Sequence, residues 1–187
     1  MRHPLEPVAA IRDDAKKGTT MNLSRLLATR AEANNPVRVG LIGAGKFGTM
    51  FLNQARLTPG LHIVGIADLN VERTKQRCLD TGWTVEQIGG ATAGEALRTG
   101  ATYLTDDAES LVSSGDLQVL IEATGDPTAG IHHCLQAIHQ GLHVVMVNVE
   151  ADVVAGPLLA RKAQSAGVIY SLAWGDQPAL ICEHVDW

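Results

Sequence analysis

The chain has 187 residues, 45% of them apolar and 19% charged, which allows one core-forming domain and a remainder at roughly 150 residues per domain. Fifteen Lys and Arg against 20 Asp and Glu give a net charge of −5, with no basic block, which excludes the clustered cationic surface of a nucleic-acid-binding protein. Three Trp, two Tyr and two Phe against 19 glycines describe a chain that turns tightly and meets ligands with its backbone.

Residues 1–20 carry Glu6, Asp13 and Asp14 among prolines and lysines, with no apolar run. They read as a disordered leader rather than a signal peptide, with Met21 as a natural start. Leu23, Leu26 and Leu27 fall at i, i+3, i+4 and predict a short amphipathic helix within 21–35, ended by Asn34-Asn35-Pro36. From Val37 strands and helices alternate. Val37–Ile42 reads as a strand, and 46–57 as a helix with Phe47, Met50, Phe51 and Ala55 on one face. A strand over 62–67 and a charged helix over 71–79 follow, then an irregular excursion over 82–101 rich in Gly and Thr. Tyr103-Leu104 is a short strand, and Asp106-Asp107 starts a helix ending near Ser113. Further strands over 118–123, 142–147 and 168–172 enclose helices at Pro127–His139 and 153–166. Such alternation implies crossovers and an α/β fold, a doubly wound, mostly parallel sheet. The continuous apolar runs of its strands imply helices over both faces. The uncharged stretch 127–149 is long enough to span a bilayer, but its four His and two Gln, and its change from helical to strand-like pattern, argue against a membrane span. Cys78, Cys134 and Cys182 form no CxxC pair; they read as buried small hydrophobes of a cytoplasmic protein.

The first strand runs into Gly43-Ala44-Gly45-Lys46-Phe47-Gly48, a G-x-G-x-x-G at a strand-to-helix turn. Gly43 permits the turn, Gly45 admits a pyrophosphate to the backbone, and Gly48 lets the helix pack on the strand. The helix N-terminus then offers free N–H groups to the anion. Asp68, 20 residues beyond Gly48 at the end of the second strand, is placed to accept hydrogen bonds from both hydroxyls of an adenosine ribose. Gly40, Gly45 and Lys46 also match most of a phosphate-cradling kinase loop. Phe47, however, stands where that loop needs a hydroxyl for Mg²⁺, and Gly40 lies inside the strand. Asp68 disfavours a 2′-phosphate whereas Arg73 would attract one, so the cofactor reads as NAD or NADP.

Ligands of a doubly wound sheet lie beyond the carboxyl ends of its strands. Here those ends read Ala123-Thr124-Gly125-Asp126-Pro127, Asn148-Val149-Glu150-Ala151-Asp152 and Trp174-Gly175-Asp176-Gln177-Pro178. Ala123, Thr124 and Gly125 are expected beneath the ribose and nicotinamide, and Asn148, Glu150 and Asp176 around the hydride-transfer position, with Glu150 and Asp176 as catalytic candidates. Asp126, before Pro127, reads as a helix cap. His132 and His139 are seven apart on one helix and His143 starts a strand beyond a turn. With His133 they are assigned to packing and surface roles, and no metal site is expected. Cys182 and His184 do not form a convincing nucleophile–base pair.

The run from Val37 to Gly48, with Glu122-Ala123-Thr124-Gly125 and the run Val145 to Asp152, resembles the homoserine-dehydrogenase-like oxidoreductases. The nearest branch carries a C-terminal SAF domain and includes proteins similar in activity to 1-deoxy-D-xylulose 5-phosphate reductoisomerase. The resemblance covers about 21–187 and implies a Rossmann NAD(P)-binding domain over 36–173. It also implies a start, over 174–187, of a substrate domain that this chain does not carry. Homoserine dehydrogenases have a lysine after the asparagine at Asn148, and the reductoisomerases an Asn-Lys-Glu run; Val149 departs from both. A glucose–fructose oxidoreductase type, with its Glu-Lys-Pro motif, fits less well at 147–150. The function implied is hydride transfer to or from a small hydroxy or keto substrate by a homo-oligomer when full length. The alternative is a non-catalytic dinucleotide-binding module for redox sensing or assembly.

Overall fold

The computed structural model describes residues 23–173. Leader, Met21 start, Asp176, Cys182, His184 and the expected second domain fall outside the described residues. The first helix, α1, spans Leu23–Glu32, and Asn34 leaves it in the left-handed region at φ 50°, a conformation Asn tolerates better than most residues. Six strands follow: β1 Val37–Ile42, β2 Leu61–Ala67, β3 Tyr103–Thr105, β4 Val119–Glu122, β5 His143–Met146 and β6 Tyr170–Leu172. All pair in parallel in the order β3-β2-β1-β4-β5-β6, the doubly wound Rossmann arrangement. The helices α2 Lys46–Ala55 and α3 Val71–Asp80 serve one layer, and α4 Ala93–Thr99, α5 Ala108–Val112, α6 Pro127–His139 and α7 Val149–Ala166 the other.

Alternation within the strands feeds two cores. Val39 and Leu41 of β1 and Ile121 of β4 face α2, α3 and Trp83, while Ile42 and Leu120 face α5 and α6 with Cys134, Ala137 and Met146. Covered on both sides, β1, β2 and β4 are nearly continuously buried. The sequence expectation of full cover fails at β5, whose burial alternates. Its half-buried Val145 faces the layer of α2 and α3, which contact β2 and β3.

Three further expectations are corrected. The excursion over 82–101 contains a 3-10 turn at Glu86–Ile88 and helix α4. Thr92 caps α4 by accepting from Glu95 N at 3.1 Å, and Glu95 returns a carboxylate oxygen to Ala91 N at 2.9 Å, a variant of the capping box. Thr92→Ala should therefore cost about 1 kcal/mol, read as a fall in melting temperature of roughly 2–4 °C. Helix α7 begins at Val149, four residues before its expected start, because Asn148 caps it by accepting from Ala151 N at 3.0 Å. In α2 the buried positions are Gly48, Leu52 and Ala55, whereas Met50 is exposed. Gly48 rather than a large residue decides the inward face, since only a missing Cβ lets α2 lie on β1. Among the described residues no helix is long and apolar enough to cross a membrane.

Candidate functional site

The strand order reverses at β1, with β2 on one side and β4 on the other, so a crevice opens between the connections that leave them in opposite directions. Backbone bonds bring the strand ends level: Gly43 N donates to Ala67 O at 2.8 Å, Ala123 N to Ile42 O at 2.8 Å and Asp68 N to Thr105 O at 3.0 Å. A cleft of about 380 Å³ lies at these ends. Gly43 and Gly45, then Asp68, Leu69, Arg73 and Asp106, and on the far side Ala123, Thr124, Gly125, Asp126 and His133 form its walls.

Each loop glycine has a distinct geometric reason. Gly43 adopts φ +94°, and a Cβ there would stand 2.6 Å from Ala123 O and 2.9 Å from Thr124 N. A Cβ on Gly48 would collide with Gly43 O. Gly45 meets nothing within 4 Å; as the N-cap of α2 it supplies no side-chain cap. The first amides of α2 are thus left to an anion, and the space a Cβ would fill stays open to it. A dinucleotide pyrophosphate fits this cradle. Ala44 is fully buried and Lys46 exposed, while Phe47 packs half-buried against the sheet.

Asp68, its side chain 10% exposed, joins the loop to β2. Its Oδ2 accepts from Ala44 N at 2.9 Å, and its Oδ1 accepts from Asn70 N at 3.0 Å and from Arg73 Nη2 at 3.4 Å. From α3 the Arg77 guanidinium donates to the Ala44 carbonyl, a second tie on the loop that no sequence motif marks. Leu69, 95% exposed, and Asp106 are also additions to the expected set, although Asp106, like Asp68, is an acid just beyond a strand end.

The opposite wall is built on β4. Asp126 Oδ1 accepts from Ala129 N at 2.8 Å with Pro127 at the first helical position, the capping that the sequence implies. Glu122 is completely buried. Its Oε1 accepts from Thr124 Oγ1 at 2.6 Å and lies 3.3 Å from His133 Nδ1. Asn148 is 2% exposed and turned inward: its Nδ2 donates to Thr124 Oγ1 at 3.2 Å and to Asp126 O at 2.8 Å. It therefore steadies the Thr124–Asp126 turn from behind and is not part of the cleft wall. Glu150 sits exposed in the first turn of α7, also off that wall. Asp152 accepts from Tyr170 OH at 2.6 Å.

Two of the other histidines have local partners. His132 Nε2 lies 3.0 Å from Glu109 Oε1, and His143 Nδ1 accepts from Ile169 N at 3.0 Å. Cys78 and Cys134 are free and buried, and burial pushes their thiols up to about 11 and about 12.

A family model described as homoserine dehydrogenase, NAD binding domain, matches residues 39–172. The homoserine dehydrogenase of Pseudomonas aeruginosa is 30% identical over 134 residues, covering 72% of this chain and 28% of that protein. Among solved structures, a homoserine dehydrogenase from Thiobacillus denitrificans superposes with a TM-score of 0.57 at 22% identity, covering 73% of this chain and 29% of the other. An NAD-binding oxidoreductase from Klebsiella pneumoniae gives 0.56 at 18% identity, covering 81% and 38%; these two likenesses establish the fold. The chain thus spans about a third or less of the length of the homoserine dehydrogenases it matches. Glycine loop, strand order and family match converge: the chain belongs to the homoserine dehydrogenase NAD-binding domain family, and its cofactor is NAD or NADP.

Proposed function

We propose that this chain binds NAD in the cleft at the ends of β1, β2, β3 and β4, as the cofactor part of an oxidoreductase acting on a small hydroxy or keto substrate. The carrying observation is Asp68, held beside the open Gly45 cradle by its bond to Ala44 N. In this reading Gly43 to Gly48 cradle the pyrophosphate and Asp68 accepts the adenosine ribose hydroxyls. Leu69 offers adenine an apolar face, and Ala123, Thr124 and Gly125 bed the nicotinamide half. Arg73 is already engaged by Asp68, which supports NAD over NADP. The bound nicotinamide would supply the hydride acceptor or donor; the protein's part is to orient it and exclude water.

The substrate site would be completed by Glu150 and Asp176 and by the length that the relatives have in addition. The branch with a SAF domain and reductoisomerase-like activity remains our reading of the 145–152 run, with Val149 removing the lysine expected for homoserine oxidation. Residues 36–173 form the cofactor domain of this proposal. Cys78 and Cys134, free and buried, support a cytoplasmic protein, and we propose that it works as a homo-oligomer.

Titration with NADH and with NADPH, followed by nicotinamide fluorescence, tests the proposal. Saturable NADH binding, tighter than that of NADPH, is expected. A flat titration with both would end it.

A further inference from the structure

The wall at the end of β4 carries a feature that cofactor recognition does not explain. Glu122 is 0% exposed, and its Oε2 is buried without a hydrogen-bond partner. Burying a carboxylate, and leaving one of its oxygens without a donor, costs stability. Room for it comes from a missing side chain: a Cβ on Gly130 of α6 would stand 3.0 Å from Glu122 Oε2 and 2.7 Å from Asn148 Nδ2. Oε1 is the engaged oxygen, reached by Thr124 Oγ1 at 2.6 Å, Thr124 N at 3.3 Å and His133 Nδ1 at 3.3 Å. Against a carboxylate oxygen, which accepts, the imidazole serves as donor in its Nδ1–H tautomer. Thr124 Oγ1 in turn accepts from Asn148 Nδ2. A continuous chain of bonds therefore runs from His133, 13% exposed at the cleft wall, through buried Glu122 to the Thr124–Gly125–Asp126 turn and the cap of α7.

We propose that Glu122 and His133 are positioning residues for the nicotinamide half of the dinucleotide. Glu122 pins the Thr124 turn from below, and His133 fixes the carboxylate that does so. Neither needs to touch the adenosine half, which the geometry assigns to Gly43, Gly45 and Asp68 on the other side of the cleft. The pair thus separates two affinities that a general loss of structure would move together. This inference rests on the dinucleotide reading above.

The test measures binding of NADH and of ADP to the full chain by calorimetry, with thermal melts alongside. ADP carries the adenosine and pyrophosphate but no nicotinamide. His133→Leu removes the imidazole partner of Glu122 and is expected to weaken NADH at least about tenfold, with ADP within about twofold of wild type. His133→Asn returns an amide N–H near the position of Nδ1 and is expected to recover most of the loss. Thr124→Val, nearly isosteric, breaks the same chain from its other end and should reproduce the His133→Leu pattern even where that variant folds poorly. Unchanged NADH binding in both variants, parallel losses of NADH and ADP, or no recovery in His133→Asn would each overturn the assignment. A wild-type chain that binds ADP but not NADH would overturn it too, whereas one that binds neither would bring down the dinucleotide reading itself.

Discussion

Gly43→Val is expected to destabilise the fold by roughly 2–6 kcal/mol, whereas Gly45→Ala, two residues on, leaves stability near wild type and removes cofactor binding. At φ +94° a β-branched residue is strained by about 1–3 kcal/mol. Its Cβ would also stand 2.6 Å from Ala123 O and 2.7 Å from Ala123 C, rigid backbone that cannot turn aside as a side chain can; such overpacking adds roughly 1–3 kcal/mol. Against a total stability of about 5–15 kcal/mol the sum is a large fraction. Gly45 has φ −69°, and a Cβ there would have nothing within 4 Å, so alanine meets neither obstacle. Its methyl instead occupies the cradle above the first amides of α2, where close backbone approach is the basis of pyrophosphate binding. Denaturant melts and NADH titrations on the two variants check this. Gly43→Val melting like wild type, or Gly45→Ala binding NADH normally, would contradict the assigned roles.

The same loop shows what was legible in the sequence. Its glycines have fixed spacing, sit between a continuous apolar strand and an amphipathic helix, and point to a ligand by local chemistry alone. Elements with strong periodicity or sharp caps were equally readable: β1 and α6, the latter with Asp126 and Pro127 at its start, lie within their expected bounds. Helix α4 leaves little trace in the sequence, because seven residues containing Gly94 and one large apolar side chain, Leu97, give little periodic signal. Its true markers were the Thr92–Glu95 capping pair and Gly100, at φ +80°.

Glu122 illustrates a different limit. At the end of an apolar strand it reads as a polar terminus, and neither period 2 nor period 3.6 relates it to His133, eleven residues later. Their meeting depends on α6 crossing back over β4 at the distance Gly130 permits. Asn148 is similar. As a polar residue after β5 it matched the pattern of a ligand contact, yet capping α7 and bonding Thr124 consume its side chain. Polarity at strand ends marks the right end of the sheet. Which of those side chains turns outward is decided by helix starts, and these depend on the neighbouring elements.

Asp68→Ala is expected to weaken NADH about tenfold to a hundredfold while affecting NADPH much less, so that any preference for NADH shrinks or reverses. The carboxylate is set by three donors, Ala44 N, Asn70 N and Arg73 Nη2, before any ligand arrives, and each hydrogen bond to a charged group is worth about 1.5–3 kcal/mol. Removing it takes two acceptors from the ribose hydroxyls and leaves the Ala44 amide without its partner. For NADPH the balance differs in sign. The repulsion between Asp68 and a 2′-phosphate disappears, and Arg73, 55% exposed and released from its 3.4 Å contact with Asp68, becomes free to pair with that phosphate. Asp68→Ala with Arg73→Ala should then lose NADH as the single variant does, without the compensation for NADPH. Six dissociation constants, two ligands against the wild type and the single and double variants, decide the matter. Equal losses for NADH and NADPH in Asp68→Ala would show that Asp68 organises the loop through Ala44 and takes no part in choosing the cofactor.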